Sequence, residues 1–222
     1  MTMLSRFATT GGGGDPYWSS VGLLLTGDSL TDSSNNHFTV SGTATIASSP
    51  VKYGTGSMNF LGGKYLLTPS NTATYPGSGD FTLEAWVYPT SYHPNYSYIF
   101  TNGNTGSIVF YVLNQSSLVV RTYNGSDLLF SSTIPALNTW SFVTAQRSGT
   151  TLQIYVNGAL TATGTNSTNF SAGNVIIGGD STSPVAPWNG YMDDLRFTKG
   201  VARYTGSYTP PPFPPTSAMP IG

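Results

Sequence analysis

The chain has 222 residues, 38% hydrophobic and 13% aromatic, which is enough for one sizeable core, and all-β sandwiches of this length are commonly single domains. Charged residues make up only 8%, with a net charge of -1, against about 25% in ordinary soluble domains. No basic patch is available for a phosphate backbone or an anionic membrane, so neither nucleic acid nor membrane is expected as a partner; with no cysteine, disulfides and thiolate chemistry are excluded as well.

Met1 to Thr10 lacks the apolar run of a secretory signal peptide, so none is expected, and no segment approaches about 18 consecutive apolar residues. Residues 1–14 end in four glycines and are expected to form a flexible arm. From Asp15 the pattern becomes that of a folded unit. Val21-Gly-Leu-Leu-Leu reads as a buried strand, and the turn-like segments after it place Asp28 and Asp32 in a loop. His37 to Ala47, Ser57 to Gly63 and Tyr65 to Pro69 are of strand length. Phe81 to Pro89 alternates Phe81, Leu83, Ala85 and Val87 against Thr82, Glu84, Trp86 and Tyr88, the pattern of a central strand packed on both sides.

Ser91 to Tyr98, rich in tyrosine around Pro94, reads as a loop leading into Ile99. Five short strands follow between Ser107 and Val156, punctuated by Asn124-Gly125 and Asn157-Gly158, the strongest hairpin signals. Val175 to Ile177 is another buried run. Gly190 to Tyr204 holds two of the nine acidic and three of the eight basic residues. Strict alternation there puts Tyr191, Asp193, Leu195 and Phe197 on one face, opposite Met192, Asp194, Arg196 and Thr198. Residues 206–222 are rich in proline and expected to be extended. No stretch shows sustained helical periodicity. The expected architecture is all-β: an antiparallel two-sheet β-sandwich of jelly-roll type over residues 15–205, between the arm and the tail.

Several segments, in order and spacing, resemble the concanavalin A-like lectin/glucanase superfamily, and within it the laminin G-like jelly-roll domains. They are Met58-Asn-Phe-Leu-Gly-Gly-Lys-Tyr-Leu, Asp80-Phe-Thr-Leu-Glu-Ala-Trp-Val-Tyr-Pro, Trp140 to Gly158, Val175-Ile-Ile-Gly-Gly and Gly190-Tyr-Met-Asp-Asp-Leu-Arg-Phe. The Asp15-Pro-Tyr-Trp opening and the Lys199-Gly-Val-Ala-Arg-Tyr ending resemble versions found in bacteriophage virion proteins. The resemblance implies a concanavalin A-like sandwich with a binding role more often than a catalytic one. It also implies a place on a phage tail or capsid surface. The Gly-rich arm and the Pro-rich tail are of the kind that reaches across to neighbouring virion subunits, so an oligomeric particle is expected; the alternative to a glycan-binding module is a purely architectural tail or capsid decoration subunit without a sugar ligand.

Glycoside hydrolysis generally needs two carboxyl groups flanking the scissile bond. Glu84 is the single glutamate, with Trp86 and Tyr88 where a carboxylate partner would stand, so an enzyme is not expected. Sugar binding uses aromatic rings that stack on sugar faces, with amides and hydroxyls around them; Tyr88, Tyr92, Tyr96, Tyr98 and Trp188, with Asn95, are the candidates for a glycan site. Trp86 and Trp140 are assigned to the core. Calcium takes oxygen ligands, and Asp28, Asp32 and Asp193, with Asp194 beside it, would converge on such an ion if the terminal strands pair; some relatives hold calcium in this part of the fold. The alternative is that Asp193 or Asp194 pairs with Arg196 or Arg147, or caps a turn.

Overall fold

In a computed structural model, residues 14–211 are described. The proposed arm, Gly14 apart, and the proline tail beyond Pro211 lie outside them. One 3-10 turn, Trp18–Ser20, precedes fifteen strands. In chain order these are β1 (Val21–Leu25), β2 (Ser41–Gly42), β3 (Thr45–Ala47), β4 (Ser57–Asn59), β5 (Leu66–Thr68), β6 (Phe81–Ser91), β7 (Tyr96–Asn102) and β8 (Ile108–Leu113), then β9 (Ser117–Thr122), β10 (Asp127–Ser131), β11 (Ser141–Ser148), β12 (Thr151–Val156), β13 (Ala159–Thr165), β14 (Val175–Ile177) and β15 (Asn189–Lys199).

The strands form two antiparallel sheets. The eight-stranded sheet runs β13-β12-β11-β6-β15-β4-β3, with β1 also paired to β15; the seven-stranded sheet runs β10-β9-β8-β7-β14-β5-β2. All described pairings are antiparallel, as expected for a jelly-roll sandwich. The core between the sheets takes Phe81, Leu83, Ala85 and Val87 from β6, Phe100 from β7, Phe110 and Val112 from β8, and Val175 and Ile177 from β14. These are the inward halves of period-2 patterns, so burial of one face of each strand sets the register. The Asn157-Gly158 turn is the two-residue hairpin expected, with φ of 51° and 79°, the left-handed pair that Asn-Gly supplies most readily.

Strand β15 departs from the expected alternation. Asp194 has a φ of +49° and the register against β6 shifts between Asp193 and Arg196, so one extra residue is bulged out of the ladder. Met192 consequently shares the core face with Leu195 and Phe197, not the face of Arg196 and Thr198. Strand β15 lies inside the sheet, between β6 on one side and β4 and β1 on the other.

Arg147 is fully buried and plugs one end of the sandwich. Its guanidinium donates to the carbonyls of Gly77, Gly79 and Thr168 and lies over the rings of Phe81 and Phe170. It pairs with neither Asp193 nor Asp194, because its donors are spent on backbone oxygens.

Candidate functional site

The outer face of the eight-stranded sheet is organised in rows by strand register. Arg196, Glu84, Thr144 and Tyr155 lie in one row across β15, β6, β11 and β12. A segment covers this row. After β15 the chain turns at Gly200 and residues 201–210 cross the sheet as a strap. The Val201 carbonyl accepts from Thr82 Oγ1 at 2.8 Å, and Gln146 bonds both Tyr204 N, at 3.1 Å, and the Tyr204 carbonyl, at 2.5 Å. Tyr208 N donates to the Gly158 carbonyl at 2.8 Å. Tyr204 and Tyr208 stack on each other with nearly parallel rings and pack on Tyr155. Gly158 is needed twice: its φ is +79°, and a Cβ there would overlap the Tyr208 carbonyl.

Beneath the strap lies a buried charge network. Arg196 forms ion pairs with Glu84 and with Asp15 Oδ2 (2.9 Å), and Arg203 of the strap forks onto Asp15 at 3.0 and 2.7 Å. Tyr204 OH donates to Glu84 Oε2 at 2.7 Å. Burial pushes the Asp15 carboxyl up, but the hydrogen bond and charge of Arg203 and the charge of Arg196 outweigh it and hold the group below the usual carboxylate range. The Tyr204 hydroxyl is pushed far up, first by burial and then by the Glu84 charge. Glu84 is therefore sealed in an ion pair under a tyrosine lid.

The opposite outer face, on the seven-stranded sheet, is open. Val109, Tyr111 and Val119 form a second small cluster there, with Tyr96, Tyr98, Leu113 and Tyr123 packed against it. Tyr96 and Tyr98 lie two apart on β7, on one face. Their rings stand 6.0 Å apart and lie 5.6 and 5.4 Å from the buried Tyr111 ring. A cleft of about 190 Å³ opens above them, lined by Tyr96, Tyr98, Arg121, Tyr123, Asn124 and Asp180, with Val109 at its floor. Two loops make its walls: the β9–β10 turn brings Tyr123 and Asn124, and the segment after β14 brings Asp180.

The charges of the cleft are unequal. Arg121 is already matched, its Nε 3.3 Å from Asp127 Oδ1 and its Nη2 donating to the Gly125 carbonyl at 2.7 Å. Tyr111 OH donates to the same Asp127 oxygen at 2.7 Å. Asp180 accepts only the Val185 N–H, at 3.3 Å, and pairs with no cation among the described residues. The Tyr98 hydroxyl is pushed up to about 12, first by burial and then by the Asp180 charge. A second hollow of about 290 Å³ beside the strap is lined by Ser148, Thr151, Gln153, Ala202, Tyr204 and Thr205; its single ring is already stacked on Tyr208.

The structure separates the six expected glycan residues. Tyr96 and Tyr98 stand together in the cleft, on strand β7 and not in a loop. Tyr88 is on the other sheet, meeting Trp140 and Tyr191 edge to face. Trp188 is fully buried in the core, so no sugar can stack on it; the chain returning from the Pro184–Pro187 loop drives the ring inward. Tyr92 packs its edge on Trp188 and donates its hydroxyl to the Pro135 carbonyl at 2.5 Å. Asn95 is exposed in the β6–β7 turn. Trp140 is half-buried on the outer face and outside the core, whereas Trp86 is buried on that same outer face under Lys52, whose Nζ is 3.9 Å from the ring centroid.

Pairing of β1 with β15 does bring the Asp28/Asp32 loop toward Asp193, yet the three carboxylates serve separate turns. Asp32 is buried and uses both oxygens, accepting from the N–H groups of Leu24, Ser34 and Phe38 and from Ser34 Oγ. Asp28 holds the N–H groups of Thr55 and Gly56, and Asp193 accepts from Tyr53 N. Among the described residues no three of His, Asp and Glu gather as a metal-holding group, and Arg196 pairs with Glu84 and Asp15 rather than with Asp193.

Sequence reading missed Arg121, Tyr123 and Asp180. Alternation could have found the first two: Leu118 and Val120 point inward, so Val119, Arg121 and Tyr123 share the face of Tyr96 and Tyr98. Nothing local signals Asp180, which reaches the cleft through the path of a loop.

A family profile described as the concanavalin A-like lectin/glucanases superfamily matches residues 60–203. The chain belongs to that superfamily. No curated protein matches it. Among solved structures it is similar to the binding domain of Paraclostridial mosquitocidal protein 1, with a TM-score of 0.65 and 13% identity over 84% of this chain and 50% of the other. It is also similar to the botulinum neurotoxin serotype C1 binding domain, with a TM-score of 0.64 and 16% identity over 84% and 50%. Domain 4 of AbnA, an extracellular GH43 arabinanase from Geobacillus stearothermophilus solved with arabinotriose, gives a TM-score of 0.61 and 17% identity over 82% and 93%. The chain thus spans about half the length of the toxin domains and nearly all of the arabinanase domain. At these identities the likeness is one of fold, and the two toxin neighbours named are binding domains.

Proposed function

We propose that this chain is a non-enzymatic, lectin-like module of a phage-type virion surface that binds a glycan in the cleft of Tyr96, Tyr98 and Tyr123. The observation that carries this reading is the cleft itself: half-exposed rings, a neutral amide at Asn124 and a free carboxylate converge on a space the size of one sugar ring. Rings supply the stacking face and the polar groups fix orientation, which is how small concave sites recognise sugars. Two of the structural neighbours support it in kind, since one carries arabinotriose and another is a botulinum neurotoxin binding domain solved with a sialylated sugar, SialylT. Glu84 supports the non-catalytic part, because a carboxylate held by Arg196 and Tyr204 beneath a strap cannot reach a glycosidic bond.

The virion setting rests on the resemblance of the Asp15 to Trp18 opening and the Lys199 to Tyr204 ending. Both form part of the strapped network through Asp15 and Arg203. A glycan array tests the binding role: hits for the native chain that vanish with Tyr98→Ala are expected, and an empty array would sink it. Mass spectrometry of purified particles tests the setting, with the chain expected at stoichiometric level.

A further inference from the structure

The cleft is walled by three tyrosines and one carboxylate, and it lacks any unmatched cation. Arg121, the one basic residue lining it, is matched by Asp127 and tethered to the Gly125 carbonyl. Asp180 has no counter-ion among the described residues and is only partly exposed. Counting Arg121, Asp127 and Asp180 together, the site carries an excess negative charge. An anionic ligand would meet Asp180 with no unpaired cation to offset it, whereas a compact organic cation would gain both the ring faces and the carboxylate. Aromatic rings attract cations through their electron-rich faces, and the attraction grows as water is excluded. A volume of about 190 Å³ is small beside the roughly 300–1,000 Å³ of drug-sized ligand pockets, which suits a single headgroup.

We propose that the cleft recognises an ammonium group, as Tyr96, Tyr98 and Tyr123 enclose the cation and Asp180 balances its charge. The ligand class is an organic ammonium: an amino sugar or a choline-type substituent on a surface glycan. This rests on the glycan reading of the same cleft and specifies which glycans qualify. The tyrosines select for the apolar surround of the nitrogen, and Asp180 selects for its charge.

The experiment is titration of the full chain, followed by calorimetry and by NMR shifts, with four probes: choline chloride, its uncharged carbon isostere, glucosamine and N-acetylglucosamine. Choline and glucosamine are expected to bind about tenfold more tightly than their uncharged counterparts. D180N keeps an oxygen for the Val185 N–H, so it is expected to fold while losing that preference; Tyr98→Ala is expected to lose both charged probes. Should D180N unfold, added salt replaces it, weakening the charged probes and sparing the uncharged ones. Equal binding of each pair, or a preference unchanged in D180N, overturns the ammonium assignment and leaves the glycan reading standing. Choline binding with an empty glycan array keeps the cation site and removes the glycan reading, while failure of all four probes overturns the assignment outright.

Discussion

The two outer faces of this sandwich are built from the same alternating strands, yet one is closed and the other open. On the eight-stranded sheet, residues 201–210 lie across the row of Arg196, Glu84, Thr144 and Tyr155 and bury four charges that offset one another. On the seven-stranded sheet no described segment crosses the corresponding surface, and a patch of tyrosine stays partly exposed beside a carboxylate with no cation partner among the described residues. The difference teaches where this chain spends its few charges. Four of its charged residues, Asp15, Glu84, Arg196 and Arg203, lie in the strapped face as structural ties. A buried and fully paired cluster fixes geometry, whereas a lone carboxylate beside exposed rings is available to a ligand.

The comparison predicts large stability effects on the first face and binding effects on the second. Arg196→Ala strips the counter-charge from buried Glu84 and part of that from Asp15, and removing one partner of such a pair typically costs about 3–5 kcal/mol; urea unfolding should show it as a lowered midpoint with an unchanged slope. Gly158→Ala forces a Cβ into the Tyr208 carbonyl from a left-handed backbone, for about 1–3 kcal/mol, and limited proteolysis should then cut within residues 201–211. An unchanged protease pattern would show that the strap does not depend on this close approach.

Acid sharpens the same face. The Asp15 carboxyl is held below its ordinary value of 3.8 in the fold, so its contribution is present above that value and is lost as pH falls through the lower, folded one. Thermal melts of the native chain and Asp15→Asn should therefore differ most near neutrality and converge in strong acid. On the open face, Tyr123→Ala is expected to shift stability by no more than about 0.5 kcal/mol, as for other surface changes, yet to weaken ligand binding measurably. A destabilisation as large as that of the strapped face would mean that the cleft is a structural cluster.

Much of this was legible beforehand because it is local. Period-2 burial placed Phe81, Leu83, Ala85 and Val87 in the core, and the requirement for left-handed φ placed the Asn157-Gly158 turn. Tyr96 and Tyr98 were expected in a loop and instead lie on β7, side by side at the cleft. Alternation failed at Asp194, where one bulged residue reverses the faces of everything after it, and at Trp188, where a loop path carried a ring into the core. The Asp28, Asp32 and Asp193 carboxylates were expected to converge on one ion; the hydrogen bonds they accept come from different turns.

The sequence by itself determined the fold class, the faces of the regular strands and the hairpin turns, since each depends on residues within a few positions of one another. Only the tertiary structure decided which face would be covered and which would stay open. That outcome depends on contacts between residues far apart in the chain, such as Asp15 with Arg203 and Gly158 with Tyr208, and on Asp180 meeting Tyr98 across a loop. Strand periodicity carries no information about such meetings, because it records which way a side chain points and not what arrives above it.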